Sequence, residues 1–393
     1  MPVVSNTVPV AWEPDKLLAL ALSRPSEALA AARDVLARHP SASQAAVAHQ
    51  AAGVVFRDFG DIGQAIEEFK AARRFARKAG DADRESDISA SLGLALVLAG
   101  QPRRGLSVLD SLVERSGHGV FAGRILIRRV AAFLVLGRNA EALRDAQAAV
   151  ELLSDTGDLV WEARALHYRA AVYLAMGDIE RADRDYARVE ALWLECGQRA
   201  DYAFARLERG LAAHIRGDLP AALAYLDNAQ ALLDGLDIFM ADLFVNKCTV
   251  LLAAGLAQDA LREVNAAVAR IEQDHGSATR RAELLYSSAV AAAATSDFSL
   301  AQDRSGEALR LFRRQQRPWW AARAELALLL CRFAEGEDPP AALLQAARRV
   351  TARLDELDPP RAVEAHLLTG KMALARGRRD EAARHLQTAA NAR

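Results

Sequence analysis

Between Ser43 and Lys78, small and apolar side chains recur at helical spacing, stop, and resume. Val47, Ala51, Val54 and Val55 mark one face of a first helix, Gly60 and Asp61 interrupt it, and Ala65, Ile66, Phe69, Ala72 and Phe75 mark one face of a second. The pattern predicts two amphipathic helices joined by a tight turn. Gly can adopt the left-handed conformation that ends a helix, and Asp can then accept backbone N–H bonds at the start of the next. An Ala five residues after the Gly leaves room for the two helices to cross. The larger residue four positions further on fills the remaining gap.

The pattern returns along the chain. Its clear copies are GDIGQAIEEF from Gly60, GRNAEALRDA from Gly137 (ending in Ala146, not a large residue), GDIERADRDY from Gly177, GDLPAALAYL from Gly217, GLAQDALREV from Gly255 and GRRDEAARHL from Gly377. Weaker ones begin at Gly100, where Gly105 stands at the Ala position, at Ser296 and Gly336, with one more at Ser23. From Gly60 onward the steps are 40, 37, 40, 40, 38, 41, 40 and 41 residues. A period in this range predicts stacked repeats, each contacting its neighbours, and not one globular core. The expectation is an all-α solenoid of ten helical hairpins over residues 15–393, preceded by a tail over 1–14. Pro318, Pro339-Pro340 and Pro359-Pro360 mark helix starts, because Pro is tolerated in a first turn.

These residues resemble the tetratricopeptide repeat family. Counting back from Gly60, Gly53 falls at that family's small position in the first helix and Phe56 at its aromatic one; Gly93 and Gly210 repeat the former and Tyr173 the latter. The sequence departs from the family in its period, near 40 residues against 34, and in often lacking the large residue near the start of the first helix. The resemblance implies a right-handed superhelix whose concave wall is made by the first helix of each pair, and a role in gripping another polypeptide. Repeats this rich in Ala and Arg also resemble the N-terminal region of actinobacterial proteins that continue into a caspase-like CHAT peptidase domain. The chain stops at Asn391-Ala392-Arg393 with no polar capping helix, so a longer protein is expected.

Composition narrows the functions. Lys+Arg 50 against Asp+Glu 51 gives a net charge of -1, so no global field favours nucleic acid or an anionic membrane. The N-terminus has no secretory pattern and no apolar stretch is long enough to span a bilayer, which points to the cytoplasm. Three scattered cysteines, Cys196, Cys248 and Cys331, form no CxxC pair and read as packing residues. The eight histidines share no metal-ligand spacing, and no phosphate-binding loop occurs, so no cofactor is expected. The SGHG string at Ser116–Gly119 is a polar loop rather than part of a peptidase, since no strand-rich region exists to present a Cys beside it. Any peptidase activity belongs to a domain outside this sequence.

What remains is the groove. The first helices between Phe121 and Ala213 are basic, and the family register puts Arg124, Arg128, Arg164 and His167 on or near the inner wall, with Arg169 and Arg206 as further candidates. Guanidiniums there can clamp the carboxylates of an acidic peptide or protein, including a downstream domain of the same chain. The alternative is that they pair with Glu162, Asp183, Asp185 or Glu208, or solvate the outer face. Trp319 and Trp320 form a second candidate site. Adjacent helical residues point about 100° apart, so one is expected to pack on the preceding repeat and the other to be available to a ligand. Trp161 and Trp193 read as repeat packing, and Trp12 as closing the first hairpin.

The sequence therefore points to a noncatalytic protein- or peptide-binding scaffold, the sensor or regulatory arm of a larger protein such as a CHAT peptidase. The rival readings are a free-standing adaptor, an RNA-binding helical repeat protein of the pentatricopeptide kind, which the balanced charge disfavours, and self-association through solenoid ends.

Overall fold

The computed structural model describes residues 14–23, 25–59, 61–236, 238–273, 278–334, 340–357 and 359–391. Among these residues every regular element is a helix, and the helices pack in chain order as ten hairpins. They fall into two compact units, residues 1–239 and 240–393.

The first unit contains α1 (Pro14–Ser23), α2 (Pro25–Ala37), α3 (Ala42–Phe59), α4 (Ile62–Ala79), α5 (Ala82–Leu98), α6 (Pro102–Ser116), α7 (Val120–Val135) and α8 (Asn139–Leu153). It continues through α9 (Leu159–Ala175), α10 (Ile179–Glu195), α11 (Arg199–Ile215) and α12 (Leu219–Asp234). The second unit contains α13 (Ala241–Ala253), α14 (Ala257–Gln273), α15 (Ala278–Ala294), α16 (Phe298–Arg314), α17 (Pro318–Ala334), α18 (Ala341–Leu357), α19 (Pro359–Ala375) and α20 (Arg379–Asn391). Helix starts at Pro318 and Pro359 match the sequence expectation. Trp12, Gly60, Gly336 and Pro339 lie outside the described residues.

The turn chemistry is the one the repeat motif predicts. Gly177 has φ +80°, and its N–H and that of Asp178 bond back to the carbonyls of Leu174 and Tyr173 at 3.0 and 2.9 Å, closing α9. Asp178 then caps α10 by accepting from the Arg181 N–H at 3.2 Å, as Asp61, Asp218 and Asp297 do for their own helices. In the weaker copy, Ser296 takes the left-handed position with φ +65°.

Within each hairpin the small position of the first helix sets the crossing. A Cβ on Gly53 would lie 2.7 Å from the ring of Phe69, which is fully buried beneath it. Gly210 and Leu226 repeat this arrangement, while Cys248 takes the small position in α13 and is buried. Gly93 and Gly105 approach most closely: a Cβ on Gly105 would strike the Gly93 carbonyl oxygen and lie 2.6 Å from Val97 Cγ2. Gly105→Ala is therefore expected to destabilise by about 1–3 kcal/mol through overpacking, despite the better helix propensity of Ala. Gly306, inside α16 with open space around it, provides the contrast: Gly306→Ala should stabilise by about 0.5–1 kcal/mol. Urea midpoints of the two variants should move in opposite directions.

In the first unit, successive first helices touch one another directly at α1/α3, α3/α5, α5/α7 and α7/α9. They line the inside of its curve while the second helices stand outside. Helix α1 also reaches α11, so this inner wall turns back on itself. In the second unit α13, α15, α17 and α19 make the corresponding row.

Candidate groove of the first unit

Helical periodicity builds the inner wall. Asp87 on α5, Arg124 on α7 and Arg164 on α9 each stand thirteen residues before their turn Gly, and Ser91, Arg128 and Tyr168 each stand nine before. Two positions four residues apart on a helix share a face, so the helices present a two-row stripe. Trp161, one turn before Arg164, completes it.

Arg128 is held on every side. Its Nη2 donates to Asp87 Oδ1 at 2.8 Å, its Nε to Ser91 Oγ at 3.2 Å, and its Nη1 to the Arg124 carbonyl oxygen at 2.8 Å. Asp87 is also bonded by Gln50 Nε2 at 2.7 Å, and Arg84 donates to the other end of that amide. Burial pushes the Arg128 pKa down; Asp87 opposes this, and the neighbouring charges of Arg57 and Arg164 add to it. Arg57 is bidentate on Asp58 at 2.6 and 2.8 Å. Burial acts to lower its pKa as well, but the charge and hydrogen bond of Asp58 more than offset that, leaving it raised.

Three guanidiniums gather on one indole. Arg124, Arg164 and Arg128 lie 4.6, 4.8 and 5.4 Å from the Trp161 ring centroid. Each such contact contributes about 0.5–2 kcal/mol, more as water is excluded. Arg124 is further tied to Asp158 at 3.1 Å, although its enclosed Nε has no hydrogen-bond partner among the described residues. Arg164 differs from the others, having no ion pair with a carboxylate among the described residues. Asp201 on α11 feels its charge without being paired to it, and burial raises the Asp201 pKa.

Beside Arg164, His167 packs edge-on against the rings of Tyr168 and Tyr186 at 5.7 and 5.6 Å. Burial, reinforced by Arg164, pushes its pKa down to about 4, so the imidazole is neutral at pH 7. Burial raises the Tyr168 phenol, and Arg57, Arg164 and Arg128 all act on it in the opposite sense. Those guanidiniums converge on Tyr168 from three helices.

The structure thus gathers Arg124, Arg128 and Arg164 on Trp161, with His167 beside them but packed on Tyr186 of the second helix α10. Arg169 and Arg206, the other two basic candidates, face elsewhere. Arg169 is bidentate on Asp185 of α10 at 2.7 and 2.8 Å, while Arg206 lies 3.5 Å from Glu190 and 4.3 Å from the Tyr225 ring centroid. The physical reason is angular: Arg169 follows Arg164 by five residues, a rotation of about 140°, which turns it towards the second helices. Arg206 stands five residues after Asp201 and turns in the same way. For these two the pairing alternative describes the geometry. Trp161 does more than repeat packing, whereas Trp193 is buried as expected. Arg57, Asp87, Trp161, Tyr168 and Asp201 are the wall residues that sequence reasoning missed; counting back from each turn Gly would have found Asp87 and Tyr168.

Other sequence candidates fall outside this groove. Trp319 and Trp320 belong to the second unit and meet edge-on at 4.7 Å, with Trp320 stacked on Phe312 of the preceding repeat at 5.3 Å. Cys248 and Cys331 are buried, and burial pushes the Cys248 thiol up to about 12, away from nucleophilic chemistry. Ser116 ends α6, and residues 117–119 form the connection to α7. His366 and His385, read from sequence as scattered, meet across the last hairpin with Nδ1 atoms 2.8 Å apart, and His366 Nε2 lies 3.1 Å from Asp355. No group of three or more metal-ligating side chains occurs among the described residues, and no described helix is long and apolar enough to cross a membrane.

No protein-family model matches the sequence, and no curated protein matches it. Solved structures do. A Rap protein complexed with competence and sporulation factor is similar with a TM-score of 0.63 at 12% identity, covering 89% of this chain and 98% of that one. The chain has a tetratricopeptide-like repeat fold. The apo quorum sensor NprR from B. thuringiensis is similar with a TM-score of 0.59 at 11% identity, over 84% of this chain and 98% of that one. A signal-transduction ATPase with numerous domains and a tetratricopeptide repeat sensor, from Pyrococcus horikoshii, is similar with a TM-score of 0.59 at 11% identity over 97% of this chain, which spans 63% of that longer one. At these identities the likeness is one of fold.

Proposed function

We propose that the first unit is a peptide- or protein-binding groove that receives a carboxylate of its ligand at Arg164. The observation that carries this reading is the state of Arg164: a guanidinium stacked on Trp161, in an inner wall where Arg57, Arg124 and Arg128 are already paired. A carboxylate arriving there gains charge-assisted, planar hydrogen bonds without breaking an existing ion pair. Held in place by their own carboxylates, Arg124 and Arg128 fix the Trp161 ring between them. The groove is thus preorganised for an anion of small charge.

Similarity in fold to a Rap protein complexed with competence and sporulation factor supports a peptide as ligand. The archaeal ATPase with a repeat sensor supports the wider reading of this chain as the sensor or regulatory arm of a larger cytoplasmic protein, for which a CHAT peptidase is one form of effector. RNA is disfavoured, because Asp58, Asp87, Asp158 and Asp201 stand beside Arg57, Arg124, Arg128 and Arg164, which leaves no net positive stripe along which a multiply charged phosphate backbone could run. The chain itself is read as noncatalytic.

Selection of a random peptide library on the full chain tests the reading. Selected peptides should be enriched in Asp or Glu at one fixed position, or share a free C-terminal carboxylate requirement. Enrichment of purely apolar or basic sequences would refute it.

A further inference from the structure

The second unit carries its own arginine on an aromatic platform. Trp320 is the third residue of α17 as Trp161 is of α9, and in both helices an Arg follows three residues later. In α17 that residue is Arg323, whose guanidinium lies 4.6, 5.1 and 5.1 Å from the ring centroids of Trp319, Trp320 and Tyr286. The platform is rigid: Trp320 is stacked on Phe312 at 5.3 Å, meets Tyr286 edge-on at 5.8 Å and Trp319 edge-on at 4.7 Å. Arg317 covers the same indole at 5.1 Å while bonded to Glu283 at 2.6 Å.

Among the described residues, the ion pairs there leave one arginine aside. Arg280 pairs with Asp242 at 2.7 Å and with Glu283 at 2.9 Å, and Arg317 shares Glu283. Of the three arginines around this platform, Arg280 and Arg317 thus have ion pairs. The one without an ion pair among the described residues is Arg323, whose Nε is enclosed and lacks a hydrogen-bond partner. Enclosed Arg317 Nη1 is likewise without one. Buried guanidinium N–H groups without acceptors are costly, and a carboxylate is the ligand that satisfies two at once.

We propose that the second unit holds a second carboxylate-receiving site, centred on Arg323, with Trp319, Trp320 and Tyr286 as the walls against which the rest of an acidic peptide segment packs. The site stands on the geometry of the second unit and goes beyond the groove reading. Charge complementarity names the occupant: an Asp or Glu side chain, or a C-terminal carboxylate, flanked by an apolar group that lies on the indoles.

Fluorine NMR on the full chain labelled with 5-fluorotryptophan separates the two sites, since Trp161 reports on the first unit and Trp319 and Trp320 on the second. Resonances are assigned by single Trp→Phe substitutions, and the probe is an end-blocked Leu-Glu-Glu-Leu peptide, which carries both the carboxylates and the apolar neighbours. The Trp319 and Trp320 resonances should shift saturably, with affinity falling at least tenfold in Arg323→Gln and by less in Arg323→Lys, which keeps the charge and loses the flat fork. Unchanged helical circular dichroism and melting in Arg323→Lys shows that the fold is intact. Shifts that persist unaltered in Arg323→Gln, or Trp319 and Trp320 resonances that stay still up to millimolar peptide, overturn the proposal. If Trp161 alone responds, the groove reading survives and this one falls; if only Trp319 and Trp320 respond, this one survives and Arg164 is not the carboxylate receptor.

Discussion

Arg164→Gln is expected to weaken an acidic peptide selected on this chain by tenfold to a hundredfold, about 1.4–2.8 kcal/mol, while lowering stability by no more than about 0.5–2 kcal/mol. The separation of the two effects follows from the pairing pattern. Arg164 has no ion pair to lose among the described residues, so its removal costs its contact with Trp161 and the attraction it exerts on Asp201. Arg128→Gln should behave differently. It would leave the carboxylate of Asp87 in a half-buried site with only Gln50 to satisfy it, and stability should fall by about 3–5 kcal/mol. Isothermal titration and urea unfolding on both variants check the contrast. Equal binding by wild type and Arg164→Gln would remove Arg164 from the site, and a large loss of stability in that variant would show that it is structural.

Acidification is expected to destabilise the first unit through His167. In the unfolded chain this imidazole takes its proton near 6.5, and in the folded chain only near 4. Between those values the unfolded state binds more protons, so the contribution is fully present above pH 6.5 and is lost as the pH falls towards 4. A gap of that width corresponds to about 2–3 kcal/mol once partial solvent contact is allowed for. Asp201 acts in the opposite sense: burial raises its pKa, so the folded state favours its protonated form and recovers some stability at the acid end. His385, lowered by burial and by His366, adds to the acid loss in the second unit. His167→Phe keeps a ring against Tyr168 and Tyr186 and removes the titration. Urea midpoints measured from pH 7 to pH 4 should fall less steeply in that variant, and an unchanged slope would show that His167 does not charge on unfolding in this range.

Much of the fold was legible because its determinants are local. A Gly that takes positive φ, an Asp that caps the next helix and an Ala at the crossing lie within a few residues of one another, and they recur at a period no globular core imposes. Gly105 shows the same logic from the other side: its departure from Ala signals a backbone approach to Gly93 that leaves no room for a Cβ. The site was legible only in part. Arg124, Arg128, Arg164 and His167 follow from register along single helices, but Arg57 comes from a repeat remote in sequence and reaches the cluster because the inner wall curves back. Periodicity carries no information about curvature. Arg169, one residue beyond Tyr168, and Arg206, eleven residues before Gly217 and so between the two inward rows, turn away on angle, because a basic residue pattern alone does not distinguish the groove from the seam. The meeting of His366 and His385 was hidden for a related reason: they stand on facing helices of one hairpin, nineteen residues apart, well outside the short spacing of an HxxxH pair.

The central claim is that the first helices of the first unit, and not the outer helices, hold the ligand. Hydrogen exchange of the full chain with and without a selected acidic peptide measures this most directly. The account predicts slowed exchange in α5, α7 and α9, with that protection reduced by Arg164→Gln at the same peptide concentration. Protection confined to α4, α6, α8 and α10, or undiminished in Arg164→Gln at subsaturating peptide, would contradict it.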